Sequence, residues 1–226
     1  MKFLIQTIDK KIVHDFSFTL IESCKYQNWI GNKVKYKLTD NNLVEGYIPI
    51  GSVEFVSKYL NKFYNKVPKP INIPPELLSF EYTSREIYFG TKEDVILNKF
   101  VKSTDKIKYF TEIVNDLNIV PEGNYMISDI INIDSEWRSF IYNGQLVGLQ
   151  NYAGDFTLFP DVSLIKKMIS SYKNCPVSYT LDVGVNSKGT FIIEAHDFFS
   201  CGLYGFSEHR ILPFMFSRWF NEYIKK

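Results

Sequence analysis

Three cysteines, Cys24, Cys175 and Cys201, are too few and too widely spaced for a disulfide framework or a zinc knuckle. Their odd number suits a reducing compartment. Net charge is equally scarce. With 26 basic and 25 acidic residues the chain carries +1, so no global field points to nucleic acid or to a membrane surface. No apolar run approaches a membrane span, and the opening MKFLIQTIDKK is too short for a secretory signal. Internal repeats and low-complexity tracts are missing too. These absences imply a soluble, cytoplasmic globular protein. At 226 residues, one domain or two lobes sharing a cleft can bury a sizeable core. What abounds is aromatic: 19 Phe and 15 Tyr favour a sheet-rich core with aromatic-lined clefts.

Along the chain, MKFLIQTI reads as a strand and NKVKYKLTD as another, after a short helical or irregular stretch. GSVEFVSKYLNKFY predicts a helix capped by Ser52, with Phe55, Tyr59, Leu60 and Phe63 at helical spacing. Pro68, Pro70, Pro74 and Pro75 then exclude regular structure and mark a connector. Residues 1–75 accordingly form an N-terminal α/β portion, and residues 76–226 a second domain. In that domain VILNKFVKS, KIKYFTEIV and YMISDIINI read as strands. SEWRSFIYNGQLVGLQNYAG reads as a hairpin about Asn143-Gly144, the preferred two-residue type I′ turn. That turn pairs Tyr142 with Gln145, Phe140 with Val147, Arg138 with Leu149 and Glu136 with Asn151. VSLIKKMISSYKN and the C-terminal PFMFSRWFNEYIKK predict helices. The fold class is α+β.

A second ribbon carries the chemistry. YTLDVGV and TFIIEAH flank Asn186-Ser187-Lys188-Gly189, and a three-residue loop with Gly189 left-handed would set Asp182 opposite Glu194. Such a ribbon has a greasy back (Tyr179, Leu181, Val183, Val185, Phe191, Ile193, Ala195) and an acidic front, as a half-buried strand pair should. Directly opposed like charges are destabilising, so the two acids call for a shared proton or a cation. Oxygen ligands with room for water and phosphate suit Mg²⁺. Upstream stand Lys102 in FVKS, Lys106 and Lys108 in DKIKYFTE, and Arg138 in EWRSF. Lysines and a bidentate arginine suit phosphate oxygens.

In this order the motifs YIPIGSVEFV, FVKS, KYFTE, SEWRSFIYNGQLVG, LDVGV and IIEAHDFFSCGLYGF make the chain resemble the ATP-grasp superfamily, and within it the R2K clade. The resemblance runs from about Tyr47 to Phe206. It implies two α+β lobes gripping ATP: a small lobe at about 86–128 and a large lobe at about 129–226. It makes Lys102 and Lys108 phosphate-facing lysines and Tyr125, Met126 and Ile127 the hinge beside adenine. Arg138 would face the transferred phosphoryl group or acyl-phosphate, and Asp182 and Glu194 would hold Mg²⁺. The family usually has Asn two residues after the metal Glu, where this chain has His196, a poor Mg²⁺ ligand beside oxygen donors.

The implied activity is an ATP- and Mg²⁺-dependent carboxylate–amine ligase acting on a small-molecule, peptide or protein substrate. A catalytically inactive ATP-binding interaction module, or a phosphotransferase using the same site, is the alternative. Plainer roles compete residue by residue. Lys99, Lys106 and Lys108 would serve as the solvated face of a basic strand, Arg138 as the surface partner of Glu136, His196 as a structural histidine and Cys201 as packing.

Overall fold

The computed structural model describes Met1–Lys225. In chain order the elements are β1 (Lys2–Gln6), α1 (Asp15–Trp29), β2 (Lys35–Thr39), β3 (Ile48–Ile50), α2 (Val53–Tyr64), α3 (Phe80–Thr83), β4 (Ile87–Thr91), β5 (Lys99–Ser103), β6 (Thr111–Val114), β7 (Asn124–Ser128), β8 (Ser135–Tyr142), β9 (Gln145–Gly154), α4 (Val162–Ser171), β10 (Ser178–Asn186), β11 (Gly189–Asp197) and α5 (Leu212–Tyr223). Two compact units result. One holds Met1–Val67, Pro176–Tyr179 and the chain from Asp197 on; the other holds Pro68–Cys175 and Thr180–His196. The boundary at Pro68 lies in the proline-rich connector. Sequence grouped residues 76–226 together, whereas α5 belongs with the N-terminal unit. Its Met215, Phe216, Trp219 and Phe220 are buried, and α1 and β3 are among its neighbours.

The first unit is built on a parallel sheet of order β2-β1-β3. Phe3, Leu4 and Ile5 on central β1 are all fully buried, the continuous apolar run expected of a parallel strand covered on both faces. Pro49 is tolerated because β3 is an edge strand. Ser52 caps α2 as expected, accepting from the Phe55 amide at 3.2 Å. α1 runs to 15 residues where sequence suggested only a short helical stretch. Its buried set mixes Phe16, Leu20 and Ile21 with Ser17, Ser23 and Gln27, so no clean apolar stripe announces it.

The second unit contains two four-stranded antiparallel sheets, of order β4-β7-β5-β6 and β11-β10-β8-β9. In the smaller, Lys102 pairs with Thr111 and Met126, and Phe100 with Ile113 and Ser128. Strand alternation sends the intervening Val101, Val114, Tyr125 and Ile127 to the opposite face, into a buried cluster with Val95 and Val120. Strand β4, absent from the sequence reading, pairs with β7. Strands β5, β6 and β7 are shorter than the stretches read from sequence.

The larger sheet turns at Asn143 (φ 50°) and Gly144 (φ 70°), both left-handed as a type I′ turn requires. Tyr142 faces Gln145 as expected, but the ladder then slips twice. Phe140 faces Gly148, Arg138 faces Gln150 and Glu136 faces Ala153, with irregularities between Phe140 and Ile141 and between Glu136 and Trp137. Each slip adds one residue to β9, so the predicted pairings beyond the turn are displaced; the extra residues are Val147 and Tyr152. A further difference concerns β10. It was expected to be half-buried, yet Ser178–Val185 are buried throughout, because the strand is interior to the sheet, between β11 and β8.

Gly154 closes β9 at φ 73°, and a Cβ there would lie 2.2 Å from the Asp134 carbonyl oxygen. Nothing lies within 4 Å of a Cβ on Gly144. Gly154→Ala should therefore lower stability by more than about 2 kcal/mol, against about 1 kcal/mol for Gly144→Ala, which meets only the left-handed penalty. Urea unfolding of both variants checks this; equal losses would contradict it.

Candidate functional site

Between the two sheets of the second unit lies a cavity of about 380 Å³. Phe100 and Lys102 of β5, Thr111 and Ile113 of β6, and Met126 and Ser128 of β7 line one wall. Glu136, Tyr152, Ile193 and Glu194 of the larger sheet line the other, and Asp129–Ile131 with Ile133 join them. An apolar slot with a few converging charges is the usual make-up of a small-molecule site.

Of four charged side chains named from sequence, Lys102 and Glu194 line the cavity, whereas Arg138 and Asp182 do not line it but lie within electrostatic reach of Glu194. Lys102 Nζ donates to Glu194 Oε2, an ion pair spanning from β5 to β11. Arg138 donates from Nε to Asp182 Oδ1 at 2.8 Å and from Nη2 to Oδ2 at 2.7 Å, a bidentate pair across β8 and β10. Arg138 thus serves Asp182 rather than Glu136. Asp182 is only 2% exposed. Burial pushes its carboxyl up and Glu194 adds to this, while Arg138 and His196 oppose. Burial also pushes Glu194 up, but Lys102 first, then His196 and Arg138, more than offset it and hold the carboxyl below its ordinary value. The two acids and His196 therefore share one electrostatic environment.

Other expected residues are placed differently. Lys108 is exposed on the β5–β6 turn at φ 58° and does not line the cavity; Lys106 sits 5.0 Å over the Tyr109 ring. Of the three expected hinge residues only Met126 reaches the wall. Tyr125 donates its hydroxyl to the Pro121 carbonyl at 2.6 Å, and both it and Ile127 lie in the core cluster. The segment Asp129–Ile131 takes the lining role instead. Ile193, expected on the greasy back, lines the cavity beside Glu194.

Four residues make polar contacts here that sequence reasoning did not assign. Tyr152, the extra residue at the second ladder slip, donates to Glu136 Oε2 at 2.8 Å, and its ring lies 5.6 Å from the Arg138 guanidinium. Burial, then the charges of Asp182 and Glu136, push its hydroxyl well above the ordinary tyrosine value. Glu136 was weighed only as a partner for Arg138. Arg85 is 8% exposed and donates to the Thr83 and Ile192 carbonyls; burial lowers it to about 10, against the pull of Asp129. Asn72, from the connector, accepts from the Ala195 amide at 2.6 Å and donates to the Ser103 carbonyl at 3.2 Å. It ties β11 to β5 one residue away from Glu194 and Lys102. The composition of the connector carried no sign of this; only its polar residue between prolines could have drawn notice.

Two carboxylates offering oxygens alone suit a hard divalent cation. Among the described residues no three His, Cys, Asp or Glu side chains are arranged to hold a metal ion. A cation at Asp182 and Glu194 would then complete its shell with phosphate and water oxygens, as Mg²⁺ commonly does.

The sequence model of the ATP-grasp domain, R2K clade family 2, matches residues 82–213, more than half of the chain. Among solved structures, D-alanine–D-alanine ligase from Bacillus anthracis superposes with a TM-score of 0.56 at 11% identity, covering 99% of this chain and 98% of that one. A RimK domain protein ATP-grasp from Sphaerobacter thermophilus DSM 20745 gives 0.55 at 11% identity, with 100% of both chains covered. The ATP-grasp ligase PsnB, solved with a minimal precursor, gives 0.53 at 8% identity, covering 96% and 99%. At such identities the likeness concerns the fold. No curated protein matches the chain. No described helix is long and apolar enough to cross a membrane.

The two ion pairs should differ in weight. Arg138→Met, which strands a buried carboxylate, should cost roughly 3–5 kcal/mol, whereas Lys102→Met, in a partly exposed pair, should cost about 1 kcal/mol; denaturant unfolding measures both. The acids also carry opposite pH signs. The lowered Glu194 contributes stability that is full above ~4.3 and fades as pH falls through its lower folded value. The raised Asp182 favours the folded state at low pH, and that contribution fades as pH rises through its folded value. Glu194→Gln should therefore lose less stability than wild type on acidification, read from unfolding midpoints between neutral pH and pH ~3. Parallel acid profiles would contradict the assignment.

Proposed function

Because the chain belongs to the ATP-grasp domain family, R2K clade family 2, we propose that it is an ATP- and Mg²⁺-dependent carboxylate–amine ligase working through an acyl-phosphate. The observation that carries this reading is the meeting of Lys102, Arg138, Asp182 and Glu194 beside one apolar-walled cavity. Phe100, Ile113, Met126, Ile131 and Ile193 offer a slot for a flat base, and the charged group suits a triphosphate with its cation. Bound at Asp182 and Glu194, Mg²⁺ would neutralise phosphate charge and orient the transferring group.

The chain's own residues supply position and charge. Lys102 would hold a phosphate oxygen from the smaller sheet. Arg138, a planar donor on a rigid central strand, would orient the acyl-phosphate and stabilise charge on its oxygens. A substrate carboxylate oxygen attacks the terminal phosphorus and ADP leaves. An amine then attacks the acyl carbon, phosphate departs with the bonding electrons, and the amine loses its proton. Most of the acceleration would come from positioning and fixed charges. The acceptor would be a small amino compound or a peptide, the range spanned by relatives named for D-alanine and for a precursor.

A second reading, a nucleotide-binding module without turnover, draws on the engagement of both acids by cations of the same chain. Turnover separates the two. Wild type should release ADP in a Mg²⁺-dependent manner when supplied with the right carboxylate and amine from a panel of amino acids and short peptides. Glu194→Gln and Asp182→Asn should lower that rate about 10²–10³-fold with secondary structure retained. ATP binding with no ADP from any pair would favour the module, and a phosphorylated rather than amide product mass would indicate a phosphotransferase.

A further inference from the structure

Each acid suited to a metal is bonded to a cation suited to phosphate. Arg138 spends Nε and Nη2 on both oxygens of Asp182, and Lys102 spends Nζ on Glu194. The charges of these four groups cancel. A metal ion arriving alone must draw Asp182 away from a bidentate, largely buried guanidinium. A nucleotide arriving alone must draw Arg138 and Lys102 onto its phosphates and then face the bared carboxylates of Asp182 and Glu194, with Glu136 close by on the same strand as Arg138.

We propose that the site accepts a divalent cation and a nucleoside triphosphate only as a matched pair, by an exchange of partners. Arg138 and Lys102 pass from carboxylate to phosphate oxygens as Asp182 and Glu194 pass from ammonium and guanidinium to the metal. Neither half of the exchange leaves a buried charge uncompensated when both ligands are present. The looser pair moves first: Lys102 and Glu194 share a single hydrogen bond and are both partly exposed, at 20% and 25%. Arg138 and Asp182 follow, with the Tyr152 ring still beneath the guanidinium. This inference rests on the ligase reading of the same residues and adds a binding rule to it.

The consequence is an inversion that ordinary ligand sites do not show. Removing a metal-binding acid should strengthen metal-free nucleotide binding, and removing a phosphate-binding lysine should strengthen nucleotide-free metal binding. Calorimetric titrations of the folded full chain test this with three probes: Mg²⁺ alone, ATP with EDTA, and ATP with excess Mg²⁺. Wild type should saturate with the third probe at concentrations where neither of the first two binds measurably. Glu194→Gln should bind ATP in EDTA at least about tenfold more tightly than wild type, and Lys102→Met should gain at least about tenfold in affinity for Mg²⁺ alone.

The proposal is overturned if wild type binds Mg²⁺ and metal-free ATP independently, each as tightly as in the other's presence, or if Glu194→Gln leaves metal-free ATP binding unchanged or weaker. Failure of MgATP to bind at all would remove the ligase reading along with it. MgATP binding without the inversion would remove the exchange alone. Lys102→Gln provides a second charge-neutral variant, and the wild-type titrations decide the matter should neither variant fold.

Discussion

The interior carboxylate of Asp182 sets a constraint on the larger sheet that its neighbours must answer. It sits on a strand buried along nearly its whole length, where an unpaired charge would cost several kcal/mol. A cation on an adjacent strand satisfies it: β8 places Arg138 there with two parallel hydrogen bonds. Committing Arg138 to Asp182 leaves Glu136 to another partner. The second slip in the hairpin ladder supplies one, by bringing the extra residue Tyr152 to Glu136 and beneath the guanidinium. A bulge near a binding site that re-aims one side chain is a recurrent device in antiparallel sheets.

The smaller sheet contributes by alternation. The residues that face the cavity (Phe100, Lys102, Met126, Ser128) interleave with those that fill its own core (Val101, Tyr125, Ile127). A shift of one residue in β5 would bury Lys102 and expose Val101, so the apolar cluster on the far face sets the register that aims the lysine. Asn72 adds a tie between β5 and β11, and the Lys102–Glu194 pair adds another. Both span the cleft in which a nucleotide would lie, so its width is linked to the state of that ion pair.

Much of this was legible in the sequence, and the misses have physical causes. Asn143-Gly144 declared its turn because few dipeptides accept two left-handed residues, and the pairing at Tyr142–Gln145 followed. The register beyond it could not be read, since a bulge changes neither composition nor alternation enough to show. Lys102, Arg138, Asp182 and Glu194 were each visible as charges in β-rich surroundings, and the structure brings all four together. Their pairing was not visible: sequence offered Glu136 to Arg138, whereas burial of Asp182 decides otherwise. Tyr125 and Ile127 were taken with Met126 as hinge, yet a strand presents only alternate residues to one side. Helix α1 escaped because its buried face includes serines and a glutamine, and Asn72 because a proline-rich connector gives no hint that its backbone carbonyl and side-chain amide will reach two different strands.

The account turns on whether these two cations and two acids serve the same bound nucleotide. A crystal structure of the full chain with Mg²⁺ and a non-hydrolysable ATP analogue addresses this most directly. The account predicts phosphate oxygens on Lys102 and Arg138, the metal between Asp182 and Glu194, and the base against Phe100 and Ile193. A nucleotide bound elsewhere, with the Arg138–Asp182 and Lys102–Glu194 pairs intact, would contradict it.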